Sequence, residues 1–241
     1  FVTALSSLTR DGLLYRVDLR LRPDGKNGAT SLSRTSFLNY LETRSAMWEW
    51  LAYVKLRGVG GDMSLAKSTE NSARAIIHKL ALESDQNELR KETIRVRNRL
   101  ENERSAGRKG KDIDIKYGEG GMLDVFFAVR YLQLRDNVSD REFNRSTIDS
   151  LANLKENGSM SAEDFRNFSN GYEFISRLDH NLRLIVRRST LLPAANQKAL
   201  ETIVQRLKLN SIEDLHENLT IHRLNIRSSF ENILKDPNVT L

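Results

Sequence analysis

The chain has no cysteine, three prolines and no apolar run approaching the roughly 18 residues that a membrane span needs. Without cysteine there is no disulfide framework, thiol nucleophile or thiolate metal site, which agrees with a reducing cytoplasm. The scarcity of proline leaves room for long uninterrupted helices. The first residues, FVTALSSLTRDG, lack the basic-then-apolar build of a secretory signal. Four histidines, His78, His180, His216 and His222, stand at no ligand spacing with one another or with paired acids, so a metal site built from them is not expected.

What is present is length, ordinary globular composition and positive charge. The 241 residues suffice to bury a good core in one large or two small domains. A net charge of +6 admits nucleotides, nucleic acid or an acidic protein surface as partners without choosing between them.

Residues 12–25, GLLYRVDLRLRPDG, alternate as a β-strand does, with Tyr15, Val17, Leu19 and Leu21 on one face and Arg16, Asp18, Arg20 and Arg22 on the other. Pro23, Asp24 and Gly25 then end the segment in a turn. One carboxylate among three guanidinium groups suits a phosphate-rich ligand with a divalent cation, the arginines forking onto phosphate oxygens while the aspartate offers a hard oxygen to the metal. An edge strand with its polar face in water reads the same way, and both readings stand.

Beyond the strand the period changes. Residues 35–57 carry Phe37, Tyr40, Leu41, Met47, Trp48, Leu51, Ala52 and Leu56 at mostly helical spacing until GVGGD at 58–62. Amphipathic stripes follow over 66–82 and 86–104, the second formed by Leu89, Thr93, Val96 and Leu100. Residues 105–121 are rich in glycine and lysine or arginine and read as a loop. Residues 122–134, MLDVFFAVRYLQL, are apolar on nearly all sides, as the central helix of a bundle would be. Two further stripes run from Phe165 to Ile185 and from Leu215 to Ile233. The expected fold is therefore mainly α: a strand-bearing portion over 1–65, then an antiparallel helical bundle over 66–241.

Within KYGEGGMLD, residues 116–124, Gly120 and Gly121 precede the apolar helix, so free amides and the positive dipole end would meet an anion there, with Lys116 close by. Asp124 in the first turn serves either the helix dipole or a function.

Three blocks, VDLRLRPDGKNG at 17–28, MWEWLAYVKLRGVGGD at 47–62 and IKYGEGGMLDVFFAVRYLQL at 115–134, together with YEFISRLDHNLRLIVRRSTLLP at 172–193, resemble the glutamine synthetase adenylyltransferase family, also called glutamate-ammonia-ligase adenylyltransferase. The resemblance covers nearly the whole chain. It implies a nucleotidyltransferase palm ending near residue 65, a helical bundle after it, and transfer of AMP between ATP and a tyrosine of glutamine synthetase, with Mg2+ as the metal. Asp18 would be the third metal-binding, catalytic carboxylate of the palm. Arg20, Arg22, Gly25, Gly28, Lys116, Gly120 and Gly121 would surround the nucleotide, and Trp48, Glu49, Arg57 and Asp124 would bind substrate or support the site. The family's other two metal carboxylates belong to an upstream Gly-Ser-Asp-x-Asp pattern that this sequence lacks, so the isolated chain is expected to be the later part of a longer enzyme and inactive alone.

The sequence also departs from the family pattern. Phe126 stands where the family usually has glutamate, and Trp50 where it has arginine. Asp124 favours the AMP-attaching half over the AMP-removing half. Glutamine synthetase is the implied partner, with a nitrogen-signalling regulatory protein as a possible second; nucleic acid and membrane are not expected. The rival reading is a helical interaction module without catalysis, binding an acidic protein or nucleic acid through the basic loop at 105–116. Acidic residues alternate with the cations from Arg90 to Lys116, as on a solvated helix face, which weakens that rival.

Overall fold

A computed structural model describes residues 2–10, 12–13, 17–105, 112–186 and 190–235. The protein is mainly α, as its periodicities predict. It divides into two compact units, Phe1–Ile77 and His78–Leu241.

The first unit opens with α1 (Val2–Ser6) and a two-stranded antiparallel ladder of β1 (Leu8–Thr9) and β2 (Gly12–Leu13), in which Leu8 faces Leu13. Residues 17–25 are not a strand, which corrects the alternating-strand expectation there. Asp18 instead turns back to accept the amide of Arg20 at 3.0 Å, and a short 3-10 turn forms at Gly25–Asn27. Leu21, expected on an apolar face, is exposed. The cause is local: aspartate two residues before an amide offers the backbone a hydrogen bond that competes with a ladder.

The single helix expected over 35–57 is two helices, α2 (Arg34–Thr43) and α3 (Met47–Tyr53). Ser33 caps the first by accepting the Ser36 amide. The break falls where Arg44 and Ser45 both donate to the carbonyl of Tyr40, while the Ser45 hydroxyl donates to that of Leu41. Glu49 then starts the second helix by accepting the Ala46 amide at 2.8 Å. Tyr40, Leu41, Trp50, Leu51, Tyr53 and Val54 form this unit's small core. The division between the units falls within α4 (Met63–Glu83).

The second unit is a bundle built around α6 (Met122–Arg135), which packs against α5 (Gln86–Ser105), α7 (Thr147–Glu156), α8 (Ala162–Val186) and α10 (Ile212–Ile233). Its residues Leu123, Val125, Phe127, Ala128, Leu132 and Leu134 are buried, as an all-round apolar helix requires. The stripes on α8 and α10 meet antiparallel: Asn167 bonds Ser229, Phe174 stacks on His222, and Gly171 lies against Ile226. A Cβ on Gly171 would sit 2.6 Å from the Ile226 side chain, so glycine permits the close crossing. Helix α9 (Gln197–Leu207) packs on α8, its Asn196 cap accepting the Ala199 amide. Neither α7 nor α9 is singled out by the sequence reading. A second short ladder pairs β3 (Ile113–Asp114) with β4 (Leu191–Leu192). Among the described residues no helix is long and apolar enough to cross a membrane.

Candidate functional site

In the first unit the DLRLRPDG segment organises itself around two charged contacts. Asp18 is exposed and accepts from three donors of Arg20: the backbone amide, Nε shared between both carboxylate oxygens at 3.0 Å, and Nη2 at 2.6 Å. These bonds hold the Asp18 carboxyl well below the usual range, at about 2. Arg22 points the other way. Its Nε donates to the Gly28 carbonyl at 3.0 Å and its Nη2 to that of Lys26 at 2.8 Å, clasping the turn that Asp24 and Gly25 make with φ of 59° and 55°. Gly28 is required by contact, because a Cβ there would lie 1.8 Å from the Pro23 carbonyl oxygen. Asp24 is tied to Arg44 at 3.3 Å, and the Tyr53 hydroxyl donates to the Leu21 carbonyl, which anchors the segment to α2 and α3.

Beside this turn lies an open cleft of about 310 Å³ bounded by Arg22 and Pro23, the strand-free stretch 29–33, Arg34 and Phe37 of α2, and Leu65 and Thr69 of α4. Neither Asp18 nor Arg20 lines it.

Of the other sequence-selected residues here, Glu49 is buried. It receives the Tyr40 hydroxyl at 2.7 Å as well as the Ala46 amide, so it holds α2 and α3 together. Burial first, then this carboxylate, push the Tyr40 hydroxyl up to about 12. Trp48 and Arg57 are exposed.

The second unit contains Lys116, Gly120, Gly121 and Asp124, and here the expectation of free amides is corrected. The amides at the start of α6 are all engaged: Gly120 donates to Asp124 Oδ2 at 2.8 Å, Gly121 to the Gly118 carbonyl at 3.0 Å, Met122 to that of Ile115 and Leu123 to that of Lys116. These amides offer an anion no free donor. Gly120 has φ of 66°, and a Cβ on it would lie 2.1 Å from the Arg223 carbonyl oxygen, so it serves close packing on α10, while a Cβ on Gly121 would meet the Gly118, Ile115 and Lys116 carbonyls of the preceding loop.

Asp124 is wholly buried and pairs with Arg97, itself 1% exposed, at 2.5 Å. Arg97 also bonds Glu101, and Arg227 of α10 stands 3.6 Å from the second Asp124 oxygen. Burial pushes the Asp124 carboxyl up while Arg97, the Gly120 amide and Arg227 pull it down. Asp114 turns the preceding loop by accepting the amides of Lys116 and Tyr117. Arg97 was missed from sequence because one arginine among many on α5 gives no sign of burial; its spacing of four from Thr93 and eight from Leu89, both buried, is the available signal.

Among the described residues no three His, Cys, Asp or Glu side chains gather so as to hold a metal ion. Asp18 supplies a single solvent-facing carboxylate, and hard divalent cations need more oxygens than that, so these residues do not compose a complete cation site.

The chain is similar to known proteins along most of its length. Residues 1–72 match the family model for glutamate-ammonia ligase adenylyltransferase, and residues 91–234 match that for GlnD PII-uridylyltransferase. The chain is 35% identical over 181 residues, 74% of its length, to the bifunctional glutamine synthetase adenylyltransferase/adenylyl-removing enzyme of Mycobacterium tuberculosis H37Rv, of which it covers 18%. It is 28% identical over 237 residues, 98% of its length, to the enzyme of the same name from Pseudomonas syringae pv. tomato, of which it covers 24%. The Bartonella quintana enzyme is 33% identical over 183 residues, with 76% of this chain and 18% of that protein covered. The chain thus spans a quarter or less of these relatives.

Proposed function

Because the chain belongs to the glutamate-ammonia ligase adenylyltransferase family of nucleotidyltransferases, we propose that it forms the later part of a palm, residues 1–65, and the helical domain, residues 66–241, of a unit that transfers AMP between ATP and a tyrosine of glutamine synthetase. In that role it regulates nitrogen assimilation in the cytoplasm, with a nitrogen-signalling protein as a second partner.

The observation that carries this reading within the first unit is the exposed Asp18 carboxylate, held ionised by Arg20. Phosphoryl-type transfer depends on positioned charge rather than on covalent chemistry by the protein. Asp18 would lend one hard oxygen pair to a Mg2+ ion shared with carboxylates from outside these residues, and that ion, when bound, screens phosphate charge. Arg20 keeps the carboxylate charged and adds a cation beside it that would help screen phosphate charge. Arg22, Gly25 and Gly28 act on the nucleotide through the shape of the turn, since the Arg22 donors are already spent on its carbonyls. In the second unit, Asp124 and the glycine pair support the fold of the helical domain, and Glu49 does so in the first.

Incubation with labelled ATP, magnesium and glutamine synthetase tests the proposal. The 241-residue chain alone transfers no label, whereas a polypeptide joining it to a Gly-Ser-Asp-x-Asp segment does. Robust transfer by the chain alone, or none by the joined polypeptide, contradicts it.

A further inference from the structure

Resting on the transfer reading above, we infer that the cleft beside the Arg22 turn is the seat of the acceptor: it holds a tyrosine-bearing, acidic segment of the protein that receives AMP. A two-substrate transfer must hold the acceptor next to the nucleotide; of the groups assigned to the nucleotide, Asp18 and Arg20 do not line this cleft, and Arg22 meets it from the turn. The two places share one structural piece. Arg22 and Pro23 bound the cleft and follow the Asp18–Arg20 pair after a single residue, Leu21, so the cleft and the pair belong to one short stretch of chain.

The lining matches such an occupant. Leu32, Phe37 and Leu65 supply apolar surface, and Leu32 and Leu65 are 43% and 54% exposed, which costs solvation unless a partner covers them. Thr69 adds a hydroxyl. Among the described residues the charged lining groups, Arg22 and Arg34, are cations and no acid lines the cleft, so the occupant carries negative charge. A volume of about 310 Å³ is at the small end for ligand pockets, suited to a single ring with its neighbours rather than to a nucleoside triphosphate.

The test measures binding of the 241-residue chain to unadenylylated bacterial glutamine synthetase and, separately, to ATP. Leu65→Glu and Leu32→Glu, both at exposed positions, each raise the Kd for glutamine synthetase by about tenfold or more with the melting temperature and the ATP affinity unchanged. Phe143→Ser, an exposed change in the second unit, leaves that Kd alone. Wild-type chain that fails to bind glutamine synthetase overturns the inference, as do cleft variants that bind it normally or that lose ATP instead. Absence of AMP transfer by the polypeptide joined to a Gly-Ser-Asp-x-Asp segment, with this binding intact, would sink the transfer reading and leave the docking cleft standing.

Discussion

At the residue scale the account turns on two aspartates of opposite character. Asp18 is in water and clasped by one arginine; Asp124 is out of water and held by Arg97 and a backbone amide. For Asp18 the folded value of about 2 lies below the ordinary 3.8, so its contribution to stability is present above pH 3.8 and fades as pH falls toward 2. Carboxyl-detected NMR should show a titration midpoint near 2, moving back toward 3.8 in Arg20→Ala. A midpoint unmoved by that change would mean another group depresses it.

For Asp124, Asn substitution removes the buried charge that Arg97 faces and leaves it Glu101 and the Asn98 side chain, and breaking a buried pair costs about 3 kcal/mol or more. Urea unfolding of Asp124→Asn should show that loss; a loss below about 1 kcal/mol would make the pair dispensable. The exposure of Asp18 follows from its polar neighbours in sequence. The burial of Asp124 does not, because a carboxylate in a first helical turn reads as a surface dipole partner until Arg97 is seen to have left solvent with it.

At the element scale the long helices were legible and the short pieces were not. The 3.6-residue stripes on α8 and α10 and the all-round apolarity of α6 declare themselves because burial is periodic. The alternation over 17–22 misled because one Asp-to-amide bond outweighs a pattern of six residues lacking a partner strand. The break at 44–46 was hidden because Glu49 initiates α3 from inside what reads as one helix.

Glu49→Ala should therefore cost about 2 kcal/mol in thermal or urea unfolding, from the lost Ala46 cap and the stranded Tyr40 hydroxyl. Glu49→Gln keeps one acceptor oxygen for the Ala46 amide and offers an NH2 that the Tyr40 hydroxyl can accept, so it should cost less; equal losses would point to charge rather than hydrogen bonding. Two of the positive-φ glycines, Gly25 and Gly120, separate in the same way. Gly25→Ala meets no neighbour and should cost about 1 kcal/mol from its φ alone. Gly120→Ala also drives a methyl into the Arg223 carbonyl, and should cost at least twice that by urea unfolding. Equal costs would mean the second unit relaxes freely at this contact.

At the scale of the whole molecule, two compact units carry two kinds of information. The first presents an exposed carboxylate, a clasped turn and a cleft; the second spends its charged motif on its own packing. The family was legible from the order and spacing of the DLRLRP and GG-x-x-D blocks. The division of labour between them was not, since a glycine pair before a helix looks alike whether its amides are free or engaged.

The most direct measurement is AMP transfer to glutamine synthetase by a polypeptide that joins this chain to a Gly-Ser-Asp-x-Asp segment, compared between wild type and Asp18→Asn. Loss of about a hundredfold or more, with unfolding unchanged, is the predicted result, because an exposed aspartate that matters only to charge on the reacting phosphate has no part in the core. Transfer by Asp18→Asn at the wild-type rate would contradict it.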